Sequence, residues 1–248
     1  MSDPRRPDPL ASERAIQMAI PLMDAIARYH RYEMHGLEYF PSEGPVVMAM
    51  NHSLASYDGM LGGWEIFRRT GRMPVGMGDN LIFRSVLGRS FAKEVGIRRA
   101  NPKNARRLLS DGHVLGLAPG GMREALRPSS ESAAILWDKR KGFVRLAIET
   151  GAPIVLGACP AADRLFTVYE NDLTKTLYRT LKFPFPIFRG WGPTLIPRPV
   201  RLTHIMSRPI SPPTLDPDTL DEQVDTLHRE VMIEMDLLMR RAEALASR

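Results

Sequence analysis

The chain has 248 residues, 44% of them hydrophobic and 25% charged, with a formal net charge of +6. It is long enough to bury a substantial core and too apolar for intrinsic disorder. One cysteine, Cys159, rules out an intrachain disulfide and any zinc site built on cysteines, and the basic balance suits anionic partners such as nucleic acid, anionic lipid or phosphorylated cofactors.

Residues 1–11 are polar and Pro-rich and read as a flexible leader, followed by a single domain over 12–248. The Arg5-Arg6 pair has no apolar stretch behind it, so it does not open a signal peptide. No apolar run reaches membrane-spanning length. The expectation is a cytoplasmic protein that meets a membrane, if at all, on its surface.

Ile16, Ile20, Met23 and Ala27 recur at helical spacing and predict an amphipathic helix over Ser12–Met34, kinked at Pro21. Core packing and an interfacial position in a membrane both fit that pattern. Strands and helices then alternate. Strands are predicted at Val46–Met50, Pro74–Met77, Gly96–Arg99, His113–Ala118, Pro153–Ala158 and Val200–Ile205. Helices are predicted at Gly59–Arg69, Arg84–Lys93, Pro102–Ser110 with Asn101 as N-cap, and Phe143–Thr150 closed by Gly151. A long charged amphipathic helix runs from Leu220 to Ala246. The alternation predicts an α/β fold: a mainly parallel sheet flanked by helices, with an N-terminal amphipathic helix and a long C-terminal one.

Three segments carry chemistry. In Asn51-His52-Ser53-Leu54-Ala55-Ser56-Tyr57-Asp58, a strand delivers a histidine to its own end and an acid follows. Six positions on a helix turn about 600°, so both cannot share one helical face, and His52 belongs in the strand-to-helix loop. A histidine near a carboxylate suits proton removal from an alcohol near neutral pH. A helix-start hydrogen bond is the plain alternative. Gly96-Ile97-Arg98-Arg99 offers guanidinium groups for phosphate or carboxylate, or an ordinary solvated edge. Pro119-Gly120-Gly121-Met122-Arg123-Glu124 follows a buried strand. It is either a plain turn or a place where backbone N–H groups approach a ligand and face a developing oxyanion.

Together these blocks resemble the glycerolipid (lysophospholipid) acyltransferase superfamily. Its pattern is Asn-His, four residues, then Asp at a strand end, with a downstream Gly…Arg block, a Phe-Pro-Glu-Gly-Thr-Arg block and an apolar block containing proline. Asn51, His52 and Asp58 match the first, with five intervening residues. Gly96 with Arg98 or Arg99 resembles the second. Pro119, Gly121 and Arg123 match the third, with Gly120 in place of glutamate, and Ala152–Leu156 resembles the fourth. The longer spacing and Pro-Gly-Gly-Met-Arg-Glu-Ala resemble the branch containing diacylglycerol and phytyl-ester acyltransferases, as does Pro197-Arg198-Pro199…Leu202-Thr203-His204.

The resemblance implies acyl transfer from acyl-CoA or acyl carrier protein to a lipid alcohol, with no bound cofactor and no metal. It casts His52 as base and Asp58 as its support. Asn51, Arg98, Arg99, Gly120, Gly121, Arg123 and Glu124 are the substrate-binding candidates. The favoured acceptor is a neutral lipid such as diacylglycerol or a long-chain alcohol; a 1-acylglycerol-3-phosphate or other lysophospholipid is the alternative. Ester hydrolysis is the nearest enzymatic rival, with Ser53 as its nucleophile, although no Gly-x-Ser-x-Gly elbow occurs. A non-catalytic lipid binder is the rival of another class, supported by the basic, aromatic stretch Lys175–Trp191. Peripheral contact with the inner face of a membrane is expected. Nucleic-acid binding is not, because no recognised module occurs.

Overall fold

A computed structural model describes residues 10–80, 82–169 and 187–246. Most of the leader and most of the Lys175–Trp191 stretch lie outside the described residues.

Helix α1 (Glu13–Tyr29) starts at an N-cap, Ser12, whose Oγ accepts from Ala15 N. It holds Pro21 in its interior and ends before the expected Met34, because Glu33–His35 form strand β1. No residue of α1 is fully buried. The next strands are β2 (Val46–Met50), β3 (Val75–Gly78), β4 (Arg98–Arg99), β5 (Val114–Leu117) and β6 (Ile154–Ala158). A small antiparallel pair, β7 (Thr167–Val168) with β8 (Phe188–Arg189), stands apart from the main sheet. Strand β9 (Thr203–Met206) completes that sheet, whose order is β1-β9-β6-β2-β5-β3-β4. Neighbours from β6 through β4 run parallel; β9 runs antiparallel to β6 and carries β1 parallel to itself.

All five residues of β2 and of β6 are buried. That is the expected state of central parallel strands covered on both faces, and it explains their unbroken apolar sequence. Successive side chains point to opposite faces. Val47 and Ala49 enter a core with Leu115, Ile154 and Leu156, closed by helices α4 (Pro102–Ser110), α6 (Gly142–Thr150) and the C-terminal helix Leu220–Ala246. Val46, Met48 and Met50 enter a second core with Leu37, Phe40 and Ile66, the last from helix α2 (Tyr57–Thr70). Each fully buried aliphatic side chain contributes about 1.5–3 kcal/mol.

This layering places the site. The chain leaves β2 into α2, on one face of the sheet. It leaves the adjacent β5 into α5 (Gly121–Ala125) and then α6, which packs on the other face. Neighbouring parallel strands whose exits diverge open a crevice at their C-terminal ends. His52 follows β2 there, and Gly120-Gly121 follows β5.

Candidate active site

His52 is half-buried. Its Nδ1 lies 2.9 Å from the Ser53 carbonyl and 3.4 Å from Ser56 Oγ. A carbonyl only accepts, so Nδ1 carries the proton and Nε2 keeps its lone pair. Nε2 has no hydrogen-bond partner among the described residues.

The peptide groups around His52 are held from the β5 side. Its N–H donates to Glu124 Oε1 at 2.7 Å, and its carbonyl accepts from Arg127 Nη1 at 3.2 Å. Glu124 also accepts from Leu136 N at 2.9 Å through Oε2. Arg127 pairs with Asp163, which accepts in turn from Ala133 N. Glu124 and Arg127 are both buried. Burial pushes the Glu124 carboxyl above its ordinary range, while the N–H groups of Leu136 and His52 and the Arg127 charge pull it back.

Asp58 is buried in the first turn of α2. Ser56, just before that helix, has φ +51°. A left-handed serine stores strain and re-aims the chain after the short turn that follows His52. The Asp58 carboxylate does not meet His52. Its Oδ1 accepts from Ser53 Oγ, and its Oδ2 lies 3.5 Å from His204 Nε2 on β9. Tyr32 Oη sits 3.0 Å from the other nitrogen of His204. The Cys159 sulfur completes a buried trio with Asp58 and His204, with one ligand-type atom from each within 4.8 Å of the others. The spacing of the histidines along the chain does not signal this grouping. Burial first, then the nearby Asp58 charge, raises the Cys159 thiol well above its ordinary range.

The other site candidates divide. Asn51 is buried and both ends of its amide are occupied: Nδ2 donates to Cys159 O and Oδ1 accepts from Cys159 N. It ties the end of β2 to the end of β6 and does not face a ligand. Glu124 is likewise taken up by backbone N–H groups below His52. Gly121 has φ +57° and closes a turn, its N–H donating to Ala118 O at 3.0 Å. That donor is therefore not free to face an oxyanion, whereas the Gly120 N–H has no acceptor among the described residues. Gly120 must be glycine for reasons of space: a Cβ there would lie 2.1 Å from Glu124 Oε2. Arg123 is exposed and unpaired among the described residues. Arg98 and Arg99 lie on β4, three strands from β2 or about 14 Å away, and Arg99 stacks on Phe83 at 5.3 Å. Ser53 is 1% exposed and donates to Asp58, which removes it as a nucleophile in reach of substrate.

Sequence reading missed Arg127, Asp163, Tyr32 and the contact of His204 with Asp58. Arg127 follows Glu124 at i+3, a spacing that signals pairing. Nothing local signals Asp163 or Tyr32, which arrive from distant parts of the chain.

The diacylglycerol acyltransferase family profile matches residues 70–244. The chain belongs to that family. The matched range starts after the His52–Asp58 loop. A Bos taurus protein named "DGAT1/2-independent enzyme synthesizing storage lipids" is 31% identical over 187 residues, covering 74% of this chain and 53% of its own length. Phytyl ester synthase 1 of Arabidopsis thaliana is 32% identical over 149 residues, covering 56% of this chain and 21% of the plant protein. The chain thus spans about half the length of the Bos taurus relative. The crystal structure of the 1-acyl-sn-glycerophosphate acyltransferase PlsC from Thermotoga maritima superimposes with a TM-score of 0.52 at 13% identity, covering 94% of this chain and 83% of that one. At that identity the likeness carries the fold alone. It agrees with the expected mostly parallel, helix-flanked sheet, while the family profile and the sequence relatives place the chain in the diacylglycerol acyltransferase-like branch of the glycerolipid acyltransferases, as the sequence motifs led us to expect.

Proposed function

We propose that this protein is an O-acyltransferase that moves a fatty acyl group from a thioester, acyl-CoA or acyl carrier protein, to a lipid alcohol. The observation that carries the reading is His52: its Nδ1–H is held by the Ser53 carbonyl, and its Nε2, at the strand-end crevice, has no hydrogen-bond partner among the described residues. Nε2 takes the hydroxyl proton as the alcohol oxygen attacks the thioester carbonyl carbon. The C–O bond forms, the tetrahedral intermediate collapses, and the C–S bond breaks. The departing thiolate takes the proton back from Nε2. The Gly120 N–H is the candidate donor to the oxyanion. Arg123, beside the crevice, is the candidate for an anionic group near the reacting atoms. Arg98 and Arg99, about 14 Å away, suit the phosphate end of an extended coenzyme A thioester.

The favoured acceptor is neutral, such as diacylglycerol or a long-chain alcohol. Where the phospholipid branch carries glutamate this chain has Gly120, and the Glu124 carboxylate fills that space while facing backbone N–H groups. The names of the relatives, a storage-lipid enzyme and a phytyl ester synthase, support the same reading. No described helix is long and apolar enough to cross a membrane, and the proposed setting is the inner, cytoplasmic surface of one.

The test is incubation of purified protein with labelled acyl-CoA and diacylglycerol, a long-chain alcohol or lysophosphatidic acid at matched concentrations. Ester formation on the neutral acceptors, lost in His52→Ala, is the expected result. Preferential acylation of lysophosphatidic acid would replace the neutral acceptor with a phospholipid precursor. Release of free fatty acid without ester would replace transfer with hydrolysis.

A further inference from the structure

Helix α3 (Val86–Glu94) is built inside out. An ordinary surface helix turns its apolar stripe inward and its polar face to water. Here the one buried residue is Ala92, while Val86, Leu87 and Phe91 are 68%, 84% and 58% exposed. At 100° per residue these three fall on a single sector that faces away from Ala92; Ser90 and Glu94 share it, and the Glu94 carboxylate accepts from Ser12 Oγ. Arg89 and Lys93 are exposed on the flank beside Val86 and Arg84 just before the helix, and none of the three has an ion-pair partner among the described residues.

The helix is held in place before it meets anything. Ser85 caps it, its Oγ accepting from Gly88 N at 2.9 Å. Gly88 packs so closely on the preceding turn that a Cβ would lie 2.0 Å from Ile82 O. The C-terminal end is tied to the start of α1, where Ser12 N donates to Glu94 O at 2.9 Å. Helix α1 adds Met18 and Leu22, one turn apart and 66% and 57% exposed.

Position gives the feature meaning. The chain enters α3 from the C-terminal end of β3, which runs parallel to β5. Helix α3 therefore follows the same edge of the sheet as the His52 loop and the Gly120 turn. A protruding apolar face flanked by cations without acidic partners among the described residues offers no pocket for a small ligand. It matches a surface of hydrocarbon behind anionic headgroups.

We propose that α3 is the membrane-inserting element of this protein: Val86, Leu87 and Phe91 enter the acyl layer of an anionic bilayer, Arg84, Arg89 and Lys93 meet its headgroups, and the His52 crevice is thereby set at the lipid surface. The proposal rests on the acyltransferase reading only for its purpose; insertion itself is read without turnover.

Cys159 is fully buried, so Leu87→Cys provides a single accessible thiol for an environment-sensitive fluorophore. The vesicles are phosphatidylcholine and phosphatidylserine in a two-to-one ratio. The label at position 87 is expected to shift to the blue and to be quenched by lipids brominated in the acyl chain. The same label at Ile233→Cys, exposed on the C-terminal helix, is expected to do neither. The double variant Leu87→Asp, Phe91→Asp should lose vesicle co-sedimentation by about tenfold or more. It should keep its folded circular dichroism and its transfer to a water-soluble short-chain alcohol. A label at 87 that stays in water while the protein sediments, or wild-type sedimentation by the double variant, overturns the proposal. A protein that inserts at 87 but transfers acyl groups to no acceptor would overturn the enzymatic reading and leave the insertion standing.

Discussion

Removing a proton from an alcohol requires one free imidazole nitrogen, and in His52 the tautomer that frees it is set by a backbone carbonyl. Asp58 reaches the imidazole only at second hand: it holds the Ser53 hydroxyl, and the Ser53 carbonyl holds Nδ1. His52→Ala should therefore lower kcat by about 10²–10⁴ or more without changing the circular dichroism of the fold. If Asp58 works through Ser53, Ser53→Ala and Asp58→Ala should slow transfer to similar rates, and the double variant should be no slower than either. A double-mutant cycle on kcat reads this directly; additive losses would mean that Asp58 acts on the reaction by another route. Glu124 belongs to the same scaffold. Glu124→Gln leaves an amide NH₂ opposite one of the two backbone N–H groups that the carboxylate now satisfies. An unsatisfied buried donor costs about 1–3 kcal/mol, which a lowered urea midpoint would report. A rise in KM alone, with stability unchanged, would instead put Glu124 in contact with substrate.

At the scale of elements, the sequence was legible wherever one short-range signal decided the outcome. β2 and β6 showed as unbroken apolar runs because both faces of a central parallel strand are covered. Asn101-Pro102 marked the start of α4 because an N-cap and a first-turn proline are local requirements, and Asn101 Oδ1 does accept from Asn104 N at 2.8 Å. The signal failed where a distant partner decides. Periodicity carried α1 on to Met34, but Glu33–His35 pair with Thr203–Ile205, more than half the chain away, and the helix stops short. His52 and Asp58 were visible as neighbours in sequence; that Asp58 turns to His204 was not, because β9 comes beside β6 only in the folded sheet. The C-terminal helix, correctly bounded by its pattern, provides a test of packing. Leu238 is 1% exposed in the core against the sheet, whereas Ile233 is 65% exposed. Leu238→Ala should destabilise by about 2–5 kcal/mol, and Ile233→Ala should stay within about 0.5 kcal/mol. Equal shifts in urea midpoint would mean that the helix does not pack as described.

Across the whole molecule, buried histidines set how stability responds to acid. Burial is the leading cause that lowers the pKa of His30, His113 and His228 from the ordinary 6.5. Each is therefore neutral in the fold at a pH where the unfolded chain already takes up a proton. In that window the unfolded state binds more protons, so stability is fully present above pH 6.5 and is lost as pH falls toward the lowered folded values. Glu124 has the opposite sign, since burial raises its carboxyl: its share is present at low pH and lost as pH rises through the raised value. The surface carboxylates held low by their partners, Glu33, Asp216 and Asp225, lose stability only below the ordinary carboxylate range. The histidines thus dominate just below neutrality, and the melting temperature should fall between about pH 7 and pH 5.5 at constant salt. His228 is the best single probe. Its Nε2 lies 3.1 Å from Trp137 O in the core under the C-terminal helix, where Lys141 disfavours a second charge and Asp138 and Asp225 offset it in part. His228→Gln keeps a donor for that carbonyl and removes the titration, so it should flatten the acid slope of the melting temperature. An identical slope in His228→Gln and the parent would show that the loss on acidification arises elsewhere.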